Sequence, residues 1–224
     1  MKKNYYAKHL SALRLKQCYE IGSPRIQQYL EAEIQHTLSL IHPSDTVLEL
    51  GCGYGRVLER LAQKADSVYG IDTSTNNLTL AQSYLKEYTN IEIKLMDAEN
   101  MEFPNETFHK VVAIQNGISA FKINPEVLIT EILRVTKKGG SIILSGYAQQ
   151  FWEQRLQWFI DQSNAGLLGE IDWEKTGNGV IKCKGGFFAT SFYKKDFASL
   201  LLKMNLNGEI LEIDDSSLFC IINK

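Results

Sequence analysis

The chain has 224 residues, with 24 Lys and Arg against 26 Asp and Glu and a net charge of −2. Hydrophobic residues make up 44% and charged residues 22%, ordinary globular values that exclude disorder, collagen and coiled coil as readings of the whole chain. The length suits one large domain that buries roughly 70% of its unfolded surface without disulfides or metal, and the balanced charge gives no general reason to bind nucleic acid or anionic lipid.

Residues 4–20 place Tyr5, Tyr6, Leu10, Leu13, Leu15 and Tyr19 on an imperfect helical face. This start is basic, but its tyrosines and few serines fit an amphipathic helix better than a transit peptide. Ser23-Pro24, a hydroxyl followed by Pro at the first helical position, opens a helix through Ile26, Leu30, Ile34, Leu38 and Ile41, which His42-Pro43 ends. Strands and helices then alternate. Thr46–Leu50, Val68–Ile71, Ile91–Met96, Lys110–Ile114 and Ser141–Ser145 read as strands, and Gly55–Ala65, Thr75–Tyr88 and Pro125–Thr136 as helices. Near-continuous apolar strands separated by helices predict a parallel sheet covered on both faces and doubly wound.

The alternation breaks at Tyr147. A helix over Gln149–Asp161 and a hairpin, Val180–Lys184 and Phe187–Ser191 about a Gly185-Gly186 turn, fill 147–190. Ser191 is the expected cap of a helix over Lys194–Met204. Strands Gly208–Asp214 and Ser217–Asn223 follow, joined by a link short enough to require an antiparallel pair. Cys18, Cys52, Cys183 and Cys220 form no CxxC pair and read as reduced thiols of a cytoplasmic protein. No segment approaches the ~18 apolar residues of a membrane span.

The chemistry-bearing motif is Glu49-Leu50-Gly51-Cys52-Gly53-Tyr54-Gly55-Arg56, a buried strand running through a glycine-rich turn into a helix. Glycines allow positive φ and close backbone approach, and the helix start offers free N–H groups to a ligand. Arg56 stands where a dinucleotide fingerprint has its third glycine, and no P-loop Lys-Ser/Thr follows. Glu49 and Asp72 lie at the carboxyl ends of strands one and two, where ligands bind in open α/β sheets, and Asp72 can accept from both hydroxyls of a ribose. Asp97-Ala98 ends the third strand, with a carboxylate and a backbone N–H able to meet an adenine edge. Each residue also has a plainer reading. The glycines can be a turn alone, Asp72 a helix cap, Asp97 a turn residue, Glu49 an ion-pair partner and Cys52 a small filler.

These ordered motifs, with Glu131–Val135 and Lys138-Gly139-Gly140 before the fifth strand, resemble the class I S-adenosylmethionine-dependent methyltransferases over about residues 40–146. The resemblance implies a Rossmann-like three-layer sandwich whose seven-stranded, mostly parallel sheet has an antiparallel last strand. It implies S-adenosylmethionine as cofactor. Gly51, Cys52 and Gly53 would line its methionine part, Glu49 would hold its amine, Asp72 and Thr73 its ribose, Asp97 and Ala98 its adenine, and the Gln115 carbonyl its amino group. His109 stands where relatives commonly have Asp, at a position that usually lies outside the site.

In this reading 1–43 is a helical lid, 44–146 the donor-binding core, 147–190 an inserted substrate cap and 191–224 the completion of the sheet. Sequence alone names no catalytic base among His9, Tyr5, Tyr6, Asp161 and Glu153. The aromatic-rich cap suits a small, partly apolar or cationic acceptor, with Tyr5, Tyr6, Tyr147 and Trp152 as candidate contacts; its aromatics can equally form a core of their own. The expected partner is a small-molecule methyl acceptor of N, O or S, not nucleic acid or membrane, for a monomer or homodimer. Protein, RNA or metalloid methylation and donor binding without catalysis are the alternatives, and no metal is expected.

Overall fold

A computed structural model describes residues 10–224. Tyr5, Tyr6, His9 and the start of the expected first helix lie outside the described residues.

Helices α1 (Leu13–Glu20) and α2 (Pro24–Ser39) precede the sheet. The Ser23 hydroxyl accepts from the Ile26 N–H at 3.4 Å, with Pro24 opening α2 as the sequence predicts. Next come β1 (Thr46–Leu50), α3 (Arg56–Ala62), β2 (Ser67–Asp72), α4 (Thr75–Tyr84), β3 (Ile91–Leu95), β4 (Phe108–Ala113), α5 (Gly117–Ala120), α6 (Pro125–Val135) and β5 (Thr136–Tyr147). A 3₁₀ turn at Gln149–Phe151 leads into α7 (Trp152–Asn164), then β6 (Ile181–Lys182), β7 (Phe188–Ala189), α8 (Lys194–Met204), β8 (Gly208–Ile213) and β9 (Ser217–Asn223).

The seven-stranded sheet has the order β3-β2-β1-β4-β5-β9-β8. Strands β1 to β5 are mutually parallel, and β9 is antiparallel to both β5 and β8, as expected. From β1 the chain winds outward to β3 and then returns to β4 on the other side of β1. The switch point between β1 and β4 is where such sheets open a ligand crevice at their carboxyl ends.

Alternate strand residues feed opposite faces. Leu48, Val111 and Ile142 pack with Leu128, Ile132 and Phe197 of α6 and α8. Their neighbours Val47, Val112 and Ile143 pack with Ile34, Leu58 and Leu78 of α2, α3 and α4. A third core joins the N-terminal helices to the segment after β5: Leu10, Cys18, Ile26, Tyr29 and Leu30 meet Tyr147, Phe151, Trp158, Phe159 and Phe187. Most aromatics of 147–190 are therefore core residues, shared with α1 and α2, while Trp173 is 60% exposed.

Three local expectations differ. Strand β5 begins at Thr136, five residues early, because Thr136 pairs with Phe108 before a register shift at Lys110, so α6 ends at Val135. The hairpin forms with its register shifted by one, Ile181 with Ala189 and Lys182 with Phe188, where a two-residue Gly185-Gly186 turn sets Lys182 against Ala189. Its loop is longer, since the Cys183 N–H reaches the Phe187 carbonyl at 3.0 Å and Gly186 takes φ 92°, the positive-φ position of a three-residue turn. Helix α8 is opened by Tyr193, whose N–H donates to Asp196 Oδ2 at 2.8 Å, rather than by Ser191, whose hydroxyl accepts from Arg155 Nη1 at 2.7 Å.

Candidate functional site

Strand β1 delivers Glu49 and Leu50 to the switch point, and the chain turns through Gly51 (φ 69°) and Gly53 (φ 57°) into α3. A Cβ on Gly51 would lie 2.5 Å from Phe121 Cε1, so only glycine fits there in both backbone angle and space. The Cys52 N–H donates to the Ile71 carbonyl at 3.0 Å, seating the turn on the end of β2.

Asp72 closes that end. Its Oδ2 accepts from the Gly53 N–H at 2.9 Å, its Oδ1 from the Ser74 N–H at 2.7 Å, and the Asn77 amide reaches both oxygens at 3.2 and 3.3 Å. Burial raises its pKa despite these donors. Thr73, beside it, is exposed. One strand over, the Met96 N–H donates to the Asp72 carbonyl at 3.1 Å, bringing Asp97-Ala98 alongside. Asp97 is exposed and accepts from the Glu99 N–H at 3.0 Å, while Ala98 is buried.

Glu49 is 5% exposed, and burial pushes its pKa up to about 8 against the pull of Arg56. Its Oε2 and Arg56 Nη2 are both buried without a hydrogen-bond partner. Orphaned buried polar atoms are rare in folded proteins, and here they belong to the two residues that flank the glycine turn, Glu49 in β1 and Arg56 at the start of α3. Gln115 follows β4. Its N–H donates to Ser145 Oγ at 2.8 Å, its Oε1 accepts from the Tyr19 hydroxyl at 2.9 Å, and its Nε2 has no partner. The glycine turn, Glu49, Asp72 and Gln115 thus gather at one end of three adjacent strands, β2, β1 and β4. His109 lies at the opposite end of β4, accepting from the Thr46 N–H at 2.9 Å.

Helix α1 covers this end of the sheet. Leu15 Cδ2 comes within 3.2 Å of where a Gly53 Cβ would be, and the Ala12 N–H donates to Asn77 Oδ1 at 2.6 Å. The same helix grips the segment after β5. Trp158 Nε1 donates to the Cys18 carbonyl at 2.8 Å and Arg14 Nη2 to the Gly166 and Leu167 carbonyls at 2.6 and 3.0 Å.

Beyond Gln115 a cavity of about 30 Å³ is lined by Asn116, Lys122, Tyr147, Arg155 and Phe159 among others. Tyr147, a candidate acceptor contact, lines it. Trp152 does not, and instead lies half-buried with its ring 5.7 Å from the Arg155 guanidinium. Sequence reasoning missed Arg155 and Glu33. Both carried a signal: each falls on the apolar stripe of its helix, Arg155 between Trp152, Trp158 and Phe159, and Glu33 between Ile26, Tyr29, Leu30 and Thr37. Glu33 is fully buried and accepts from the Ser145 hydroxyl at 2.6 Å, completing a chain from the Gln115 N–H. Burial raises its pKa to about 7. The four thiols are buried in three separate cores, and no group of three metal-ligating side chains exists among the described residues. No helix among them is long and apolar enough to cross a membrane.

The parallel strands, the glycine turn and the acid ending β2 form the arrangement expected of a class I methyltransferase, a family whose methyl donor is S-adenosylmethionine. A family model described as a methyltransferase domain matches residues 47–140, from β1 into β5. The matched stretch is thus similar to a methyltransferase domain, and the fold around it is that of solved S-adenosylmethionine-dependent methyltransferases. It is 35% identical over 101 residues to a phosphatidylethanolamine N-methyltransferase of Cereibacter sphaeroides, covering 44% of this chain and 48% of that one. It is 34% identical over 73 residues to a probable ribosomal RNA small subunit methyltransferase A of Methanosarcina acetivorans, covering 33% and 26%. The chain thus spans half or less of these relatives. In fold it is similar to the PH0226 protein of Pyrococcus horikoshii, with a TM-score of 0.69, 21% identity and coverage of 100% of this chain and 99% of that one.

Proposed function

We propose that the chain is an enzyme transferring a methyl group from S-adenosylmethionine to N, O or S of a small-molecule acceptor. The observation that carries this reading is the enclosure of the crevice. Beyond the donor end of β4 a small cavity is covered by Arg155 and Phe159 of α7 and Ala189 of β7, which supports a small acceptor entering between these elements rather than a macromolecule docking on a flat face. The stretch shared with the ribosomal RNA enzyme, 73 residues, is too short to span both the donor strands and the segment over the crevice, so it supports the donor half of the reading and is silent on the acceptor.

Bound S-adenosylmethionine supplies a sulfonium-activated methyl group. In this reading Gly51, Cys52 and Gly53 line its methionine part, Glu49 and the Gln115 carbonyl hold its amine, Asp72 and Thr73 take its ribose, and Asp97 and Ala98 flank its adenine. The orphaned Glu49 Oε2 and Gln115 Nε2 gain partners from a ligand placed there, which fits the group. Helix α1 acts as a lid, excluding water and aligning the partners, a contribution worth roughly 7–11 kcal/mol in well-oriented reactions. Residues 147–190 act as the acceptor cap. The enzyme works in the cytoplasm as a monomer or homodimer, with neither nucleic acid nor membrane as partner.

Incubation of the purified protein with methyl-labelled S-adenosylmethionine and cell extract tests this. Protein-dependent label is expected among small molecules. Label confined to protein or RNA defeats the acceptor assignment, and no transfer despite donor binding favours a non-catalytic donor-binding protein.

A further inference from the structure

Arg155 is 1% exposed, the largest fully buried side chain of the described residues. Its Nη1 donates to the Gly179 carbonyl at 3.0 Å and to Ser191 Oγ at 2.7 Å. Its Nε and Nη2 are buried and make no hydrogen bond of normal geometry, with the Tyr147 hydroxyl close enough to interact with the guanidinium. Among the described residues it forms no ion pair. An arginine is always charged, and burying a charge without a counter-ion is costly.

The surroundings hold the guanidinium without neutralising it. The rings of Tyr147, Trp152 and Phe159 pack at 4.4, 5.7 and 5.5 Å from its centre. The cavity it lines holds a second cation, Lys122, at its mouth, and no acidic residue. Burial and the charge of Arg155 together lower the Lys122 pKa. Lys122 is held there by a left-handed backbone (φ 58°) and by the Phe188 ring at 4.7 Å.

The shape of the vacancy is specific. The Nε and Nη2 hydrogens lie parallel on one edge of the guanidinium, the edge that takes a carboxylate through two hydrogen bonds. Gln115 lines the same cavity from the donor side.

We propose that the methyl acceptor carries a carboxylate, received edge-on by Arg155 with Lys122 closing over it. This rests on the acceptor cavity of the proposed function and names the chemical class it takes. It replaces the cationic acceptor suggested by the aromatic composition of the cap, since two cations at the cavity repel one there.

The test uses the full chain with S-adenosylhomocysteine and calorimetric titration of three probes that differ at one end: β-alanine, β-alaninamide and 2-aminoethylphosphonate. β-Alanine is expected to bind at least roughly tenfold more tightly than the other two. Arg155→Met should weaken it roughly ten- to hundredfold, the range for hydrogen bonds to a charged group, and leave S-adenosylhomocysteine binding within about twofold. Because Arg155 also supports Gly179 and Ser191, Lys122→Met on a separate loop provides a second variant, expected to weaken β-alanine severalfold. β-Alanine binding no better than the amide, including no binding of either, overturns the proposal, as does preference for the phosphonate or indifference of β-alanine to both variants. The titrations are repeated without S-adenosylhomocysteine. Failure of that nucleoside to bind defeats the donor reading, while the carboxylate preference then stands or falls on its own titration.

Discussion

Glu33 gives the sharpest quantitative test of the packing described above. It sits fully buried on α2, accepting from Ser145, and its pKa rises from 4.5 to about 7 because burial disfavours the charged form. At ~1.4 kcal/mol per pH unit, that displacement corresponds to about 3 kcal/mol. The sign follows from proton binding. Below pH 4.5 the carboxyl is protonated in both folded and unfolded chains and contributes no pH dependence. Between 4.5 and about 7 the unfolded chain releases the proton and the folded one keeps it, so stability falls as pH rises. Above about 7 the loss is complete. Glu33→Gln keeps an oxygen to accept from Ser145 but cannot ionise. The variant should match wild type near pH 4.5 and exceed it by up to about 3 kcal/mol at pH 8. Urea denaturation at intervals from pH 4.5 to 8, for both proteins, measures the difference directly. A difference that stays constant with pH, or a variant weaker than wild type at pH 8, would refute the assignment of Glu33 as a buried, protonated acid.

Asp72→Ala should weaken S-adenosylhomocysteine binding roughly tenfold or more by calorimetry, with a folded circular dichroism spectrum retained; unchanged affinity would remove Asp72 from the donor site. Gly51→Ala forces a Cβ to 2.5 Å from Phe121 at a φ of 69°, so thermal unfolding should show a loss of roughly 1–3 kcal/mol together with weaker donor binding. Trp158→Phe removes the 2.8 Å bond to the Cys18 carbonyl. A loss of about 1 kcal/mol and faster exchange of the α1 amides are expected, and unchanged exchange would mean that α1 is held elsewhere. Burial pushes the Cys18 and Cys220 thiols up to about 12, so at pH 8 a thiol reagent should modify neither until denaturant is added.

The sheet was legible because its signals are local. A run such as Val47–Leu50 with a glycine turn behind it needs no distant partner to declare a strand ending at a ligand. The extension of β5 to Thr136 was hidden because Lys137-Lys138-Gly139-Gly140 carries turn chemistry, and only pairing with Phe108 draws the segment into the sheet. The strand-end positions of Glu49 and Asp72 beside the glycine turn were readable from the sequence. Arg155 and Glu33 were not, since a charge on an apolar stripe acquires meaning only through its surroundings. Those come from afar: Ser145 is 112 residues from Glu33, and Ser191 is 36 from Arg155. The aromatics of 147–190 misled in the same way, because composition does not reveal that α1 and α2 supply the other half of their core.

The position of β9 bears on how the chain assembles. Strand β8 precedes it in sequence yet pairs only with β9, and β9 lies between β8 and β5. Until Ser217–Asn223 pairs, β5 presents the whole row of backbone groups along Ser141–Tyr147 without a partner, and β8 has nothing to join. An open edge beside Ile142 and Leu144 is a template for another nascent chain. Strand β9 is thus the keystone of the sheet's second half: both β5 and β8 depend on it, and until it is in place neither edge is protected.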